Sequence, residues 1–273
     1  MTLIHHYTDS GGLIGIIESS TIRATNVWFM NDTVEATFGW ERIERFLVSK
    51  TPSSPREGEA IQLALRVLRD VRGADNLPDS YIACFSEREN DLSQWRAYGH
   101  SKGFSIGFDS DELDHLAQYI SDTSPLPAIR KVAYTDELQD YILQTNYLQQ
   151  VLTQLASGTD SNALARAFMF MAIRSTPSLK HPAFQAEDEW RLQFFLDKSS
   201  NRVKFRDSAM GVTPYIEMSL CKPGSNIITC IKEVMVGPQR HPDEALRAAQ
   251  QLLIRNGLSS VVVKPSTIPL RPN

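Results

Sequence analysis

Tyr81-Ile82-Ala83-Cys84-Phe85-Ser86, then Asp91-Leu92-Ser93-Gln94-Trp95-Arg96-Ala97-Tyr98-Gly99, then Gly103-Phe104-Ser105-Ile106-Gly107-Phe108, is the stretch on which the fold turns. The outer pieces carry the aromatic and β-branched residues of strands. Between them Asp91 can accept a backbone N–H and start a helix, and Gly99 can end it. The unit therefore reads as strand, short helix, strand. It puts Ser86 at a strand end and sets Trp95 and Tyr98, three apart, on one helix face.

Working outward toward the N-terminus, residues 2–7 read as a strand, and Asp9 or Ser10 caps a helix whose apolar face is Leu13, Ile14, Ile16 and Ile17. Residues 21–25 read as a second strand. Asn31-Asp32 has the look of a cap for a longer helix through Phe38, Ile43, Phe46 and Leu47, and the Pro- and Ser-rich run at 51–55 is a loop. Residues 60–71 repeat apolar side chains at helical spacing and stop at Gly73. Toward the C-terminus, residues 110–175 are mainly helical, interrupted by a strand-like piece at 130–134 and a turn at 157–161. Strands then follow at 189–196, 203–206, 215–220 and 227–236, with a closing helix over 242–255 and a last strand at 260–263. Strands from both halves with helices gathered in the middle argue for a single α+β domain over residues 1–273, not a doubly wound parallel sheet. Neither a Gly-x-Gly-x-x-Gly turn after a strand nor a phosphate-loop motif occurs.

Composition narrows the function classes. With 42% hydrophobic and 22% charged residues there is enough apolar material for a sizeable core. The net charge of −4 rules out a global positive field that would hold nucleic acid. A local basic stripe from Arg42, Arg45, Arg66, Arg69 and Arg72 stays open. Cys84, Cys221 and Cys230 are odd in number and lack paired spacing, so they read as reduced residues of a cytoplasmic protein. The N-terminus lacks the pattern of a secretion signal, and no apolar run approaches the ~20 residues of a membrane span. His115, His181 and His241 lie far apart without metal-ligand spacing, so no metal site is expected.

Polar chemistry gathers in three short segments. The first is His5-His6-Tyr7-Thr8, where strand alternation lets only one histidine face a given cleft. The second is Ser86, Asp91, Gln94, Trp95, Arg96 and Tyr98, whose aromatics serve equally well as core. The third is Glu187-Asp188-Glu189-Trp190-Arg191. If the strand extends that far, Glu187, Glu189 and Arg191 share one face, and the arginine can orient a carboxylate. Two carboxylates on one face raise each other's pKa unless a cation lies between them. An acidic strand edge that merely aids solubility has the same appearance.

These segments resemble a large bacterial family of uncharacterised proteins. The resemblance rests on His5-His6-Tyr7-Thr8, Asn31-Asp32, Phe85-Ser86-Glu87, Gln94-Trp95-Arg96-Ala97-Tyr98-Gly99, Glu187-x-Glu189-Trp190-Arg191, Val236-Gly237-Pro238 and residues 266–271. The order of motifs is also distantly similar to that of NAD-dependent ADP-ribosyltransferases of the DarT and RNA 2′-phosphotransferase kind. That similarity implies a mixed, split-sheet core with a helical insertion between about 110 and 175. It implies NAD as a substrate and an unknown macromolecular acceptor, as in a toxin or phage-defence effector. Under it, His6 with Tyr7 and Ser86 hold the cofactor, Trp95 or Tyr98 stacks on nicotinamide, and Arg96 or Arg191 neutralises the pyrophosphate. Glu189 or Glu187 would stabilise the oxocarbenium-like charge. Competing readings are a nucleic-acid-associated defence protein, whether nuclease or binding module, and a non-catalytic scaffold of the same fold.

Overall fold

The computed structural model describes residues 2–30, 35–71, 78–99, 102–120, 126–156 and 160–269. In chain order its first half holds β1 (Leu3–Asp9), α1 (Ser10–Ser19), β2 (Thr21–Asn26), α2 (Glu35–Ser49), α3 (Pro55–Val71), β3 (Asp79–Ser86), α4 (Leu92–Gln94), β4 (Gly103–Asp109) and α5 (Ser110–Ala117). The rest holds β5 (Ala128–Lys131), α6 (Asp136–Ile142), α7 (Gln149–Ala156), α8 (Ser161–Ser175), β6 (Glu189–Leu196), β7 (Lys204–Ser208), β8 (Gly211–Ser219), β9 (Ile231–Val236), α9 (Pro242–Arg255) and β10 (Val262–Pro265). π-helical turns continue α4 over Trp95–Gly99 and α6 over Leu143–Leu148.

Short polar side chains set the helix starts. Asp9, not Ser10, caps α1, its Oδ1 accepting the Gly12 N–H at 2.8 Å. Asp91 accepts the N–H groups of Ser93 and Gln94, and Asp160 those of Asn162 and Ala163. On α1, Leu13, Ile16 and Ile17 are buried while Ile14 turns outward, because a step of about 100° per residue leaves room for only part of that run on one face. Asn31, Asp32, Gly73 and 157–159 lie outside the described residues, as do 270–273.

The sheet is mixed, with β10 parallel to β9 and the remaining pairings antiparallel. Its form follows from β3, which has three partners. β6 runs along one edge of β3 over its whole length, from Asp79↔Leu196 to Ser86↔Glu189. The other edge is shared: β1 meets it at His5↔Ser86, and β2 at Thr25↔Ile82 and Asn26↔Tyr81. One branch therefore leaves as β1-β4-β9-β10 and the other as β2-β8-β7, while Ala83, Cys84 and Phe85 face the gap between them. The architecture is a mixed α+β fold with a forked sheet.

One apolar cluster packs α1, α5 and α9 against the sheet through Ile4, Leu13, Ile17, Phe85, Phe108, Leu113 and Leu253. A second lies among the helices and includes Phe38, Phe46, Ala64, Tyr147, Leu148 and Phe168. The helices between 136 and 175 thus pack with α2 and α3 and are not an insertion standing alone. Buried Arg42 ties the two helical segments together, donating to Gln139 Oε1 at 2.8 Å, to the Asp136 carbonyl at 3.1 Å and to Asp140 Oδ1 at 2.5 Å. This also corrects the basic stripe. Arg42 points inward and Arg69 pairs with Glu44, so neither is a free cation for a polyanion, and Arg72 lies outside the described residues. Among the described residues no helix is long and apolar enough to cross a membrane.

Candidate functional site

A cleft of about 540 Å3 opens where β1 and β2 diverge from β3. Its floor is the free edge of β3, and His6 reaches across to that edge: Nδ1 donates to the Cys84 carbonyl at 2.9 Å. A carbonyl can only accept, so the neutral ring carries its proton on Nδ1 and leaves Nε2 as an acceptor. Burial pushes the His6 pKa down, partly offset by the Cys84 carbonyl. Strand alternation sends neighbouring His5 to the other face of β1, where it is buried 3.9 Å from Glu233.

At the deep end, Glu189 opens β6 and is 4% exposed. Arg191, two residues on and on the same strand face, grips it with Nε to Oε1 and Nη2 to Oε2, both at 2.9 Å. Arg191 Nη1 donates to the Pro177 carbonyl at 2.9 Å. The cation between the carboxylates is Lys180: its Nζ lies 3.0 Å from Glu189 Oε2 and 2.6 Å from Glu187 Oε2, above the Phe184 ring. Burial alone would lower the Lys180 ammonium, and the two glutamates more than reverse that, so its pKa stands above the ordinary lysine value. Burial pushes the Glu189 carboxyl up, while Lys180 and the Cys84 thiol draw it back.

The strand does not extend to Glu187, as the sequence pattern had allowed. Glu187 ends a 3-10 turn, Pro182–Glu187, and Asp188 takes a left-handed conformation at φ 46° before β6 begins. The two glutamates meet through Lys180 and not through shared strand periodicity. Their exposures differ: the Glu187 side chain is 26% exposed, whereas that of Glu189 is 6% exposed with both oxygens engaged.

The expected site residues divide into two groups. His6, Ser86, Tyr98, Glu187 and Glu189 all line the cleft. Burial and the nearby Cys84, Glu187 and Glu189 raise the Tyr98 pKa. Ser86 also holds the wall together, its hydroxyl donating to the Glu187 carbonyl at 2.6 Å and accepting the Arg88 N–H at 3.0 Å. Tyr7 touches the cleft, but its hydroxyl is committed to the Arg88 carbonyl and the Asp91 N–H. Trp95 is off the cleft wall and 2% exposed, edge-on to Tyr7 with centroids 4.7 Å apart. Gly99, Gly103 and Gly237 crowd its ring so closely that a Cβ on any of them would fall within 3.2 Å of it. Arg96 sits exposed on the π-helical turn away from the cleft lining, and Arg191 is fully buried behind Glu189.

The sequence reading missed the cations that do reach the cleft. Lys180 comes from an unremarked stretch ahead of the third segment. Arg23 on β2 and Arg206 on β7 lie at the mouth, over the Tyr215 ring at 4.9 and 6.0 Å, with Arg206 Nη2 donating to Thr25 Oγ1 at 3.1 Å. Arg23 alternates with apolar Ile22 and Ala24, a strand-face signal that marks it as outward but not as cleft-lining. Cys84, Cys221 and Cys230 are free thiols, and burial with nearby Glu189 pushes the Cys84 pKa well up.

Residues 94–192 match a family model described as Protein of unknown function (DUF2971). The match covers roughly a third of the chain. It runs from Gln94 to Leu192 and so carries the cleft residues Tyr98, Lys180, Glu187 and Glu189. No curated protein and no solved structure matches the chain.

Proposed function

We propose that the cleft is an NAD site and that the chain transfers ADP-ribose from NAD to a macromolecular acceptor. The observation that carries this reading is the convergence of His6, Tyr98, Glu187 and Glu189, drawn from three distant parts of the sequence, on one cleft of about 540 Å3. That volume falls in the range of small-molecule sites. The cleft also carries charge of both signs: Glu187 and Glu189 about Lys180 in one part of its lining, Arg23 and Arg206 in another. A dinucleotide with a neutral-to-cationic reacting end and an anionic pyrophosphate suits such a division.

In the reaction, the bond from the ribose anomeric carbon to the nicotinamide nitrogen breaks and its electron pair leaves on nicotinamide. The anomeric carbon gains oxocarbenium character and bonds to the acceptor's nucleophile, which gives up its proton. A fixed carboxylate beside the developing cation stabilises the transition state more than the ground state. Glu187, partly exposed and bonded through only one oxygen to Lys180, suits that contact. Glu189, clamped by Arg191 and Lys180, suits the task of positioning Lys180 and through it Glu187. His6 Nε2 would accept from a ribose hydroxyl, Tyr98 would lie against the nicotinamide, and Arg206 would take the pyrophosphate beside Arg23, which already pairs with Glu217 at 3.4 Å; the resemblance had implied that role for Arg96 or Arg191.

The test incubates the full chain and a cell lysate with NAD labelled in its adenylate phosphate, comparing wild type with Glu187→Gln and Glu189→Gln. Transfer of label by wild type and its loss in Glu187→Gln is the expected result. Equal transfer by all three proteins, or none by any, rejects the reading.

A further inference from the structure

A second cavity, of about 120 Å3, lies on the helical side of β5, walled by Arg130, Asn146, Gln150, Arg174, Ser175 and Ser178 together with the apolar Ile142 and Met171. Among the described residues, two guanidinium groups, two hydroxyls and two amides make up its polar wall, and no carboxylate does. Arg130 Nε is buried without a hydrogen-bond partner. Neither Arg130 nor Arg174 has a side-chain ion pair among the described residues. Burial and the neighbouring Arg174 both work against the Arg130 charge, and Asp114 only opposes them. Asp114 is itself engaged, accepting the Ile129 N–H at 2.8 Å. Ser178 Oγ accepts from Gln193 Nε2 at 2.9 Å, which leaves its own O–H to give.

Two like charges facing a small cavity, one with a desolvated donor, form an unfavourable arrangement that an anion between them would reverse. An exposed pair of arginines would satisfy itself with water, but a buried Nε cannot. The cavity is small, about 120 Å3 against about 540 Å3 for the cleft, which suits a ligand of a few heavy atoms. We propose that this cavity binds a small oxyanion of the phosphate class, either free inorganic phosphate or the phosphate end of a small monoester. The planar guanidinium forks would hold it bidentately, with Ser178 donating a further bond. The site is independent of whatever the larger cleft binds, although Arg130 and Arg191 are register partners and Ser178 stands two residues from Lys180.

Calorimetric titration of the full chain at fixed ionic strength, with inorganic phosphate and separately with glycerol phosphate, tests this. Wild type should bind at least one of the two; tighter phosphate binding identifies the free ion, and tighter monoester binding identifies a phosphate end. Arg174→Gln should weaken binding about tenfold or more, the loss expected of a charge-assisted bond. Arg247→Gln, exposed on α9 and outside the lining of both cavities, should leave it unchanged. No binding by wild type overturns the proposal, and so does wild-type affinity in Arg174→Gln. Should Arg174→Gln not fold by circular dichroism, Arg174→Lys carries the same test, because it keeps the charge and loses the fork; undiminished affinity there overturns the proposal equally.

Discussion

Glu187 and Glu189 lie on either side of one buried ammonium, with Lys180 Nζ 2.6 Å from the first and 3.0 Å from the second. Lys180 is 7% exposed, so this is an internal ion cluster and not a surface pair. Removing one partner of such a cluster leaves charge buried without compensation, which costs far more than losing an exposed pair.

Lys180→Met should therefore lower the unfolding free energy by about 3 kcal/mol. Glu187→Gln, on the more exposed side of the cluster, should lower it by less than about 1 kcal/mol. Urea unfolding of the two variants beside wild type measures the difference. Equal losses would mean that Lys180 is solvated and the cluster is not held as the geometry has it.

The two histidines of β1 give a pH dependence whose sign can be worked out. Burial lowers the folded-state pKa of both His5 and His6 below 6.5. Their contribution to stability is complete above the unfolded value and is lost as pH falls through the folded value, because the unfolded chain takes up protons that the folded chain refuses. From pH 6.5 downward each histidine should cost up to about 1.4 kcal/mol per pH unit. His6→Gln should flatten the slope of stability against pH in that window. A slope unchanged by the substitution would show that His6 titrates normally in the folded protein.

Cys84 sits on the floor of the cleft, yet burial and the neighbouring Glu189 hold its thiol well above the ordinary cysteine pKa. Since the thiolate is the reactive form, alkylation of Cys84 at pH 8 should run at least about tenfold slower in the native chain than in urea. Mass spectrometry of the peptide spanning 78–88 after timed iodoacetamide treatment reads this directly. Rapid native labelling would place an open, polar environment around the sulfur.

Gly237 and Gly15 make a matched pair for packing. A Cβ at Gly237 would stand 2.8 Å from the Trp95 ring and 3.0 Å from the Gly103 carbonyl, whereas one at Gly15, inside α1, meets nothing within 4 Å. Gly237→Ala should destabilise by about 1–3 kcal/mol through overpacking. Gly15→Ala should stabilise by about 0.5–1 kcal/mol through helix propensity. Thermal unfolding of both variants decides; a neutral Gly237→Ala would mean the indole can shift without loss.

The local elements were legible from residue pattern because their causes are local. Asp91 and Gly99 bound the short helix, and the β6 and α9 spans follow from apolar runs and caps that a reader can see in the chain. The alternation of His5 and His6 across β1 was likewise fixed by strand geometry. Pattern could not rank Trp95 against Tyr98, since both are aromatic and both lie on the same turn. The glycines that enclose Trp95 include Gly103 on β4 and Gly237 after β9, brought to it only by pairing of strands far apart in sequence.

By itself the sequence determined most of the short elements and where along the chain several polar side chains gather, because capping, periodicity and turn conformations act over a few residues. Only the tertiary structure decided that β1 and β2 share one edge of β3 and so leave a cleft between them. It alone decided that Lys180 bridges Glu187 and Glu189, and that Arg23 and Arg206 reach the mouth while Arg191 is sealed behind a carboxylate. The physical reason is range. Strand pairing and the burial of ions are settled by contacts among segments separated by tens to hundreds of residues, and no spacing in the chain records them.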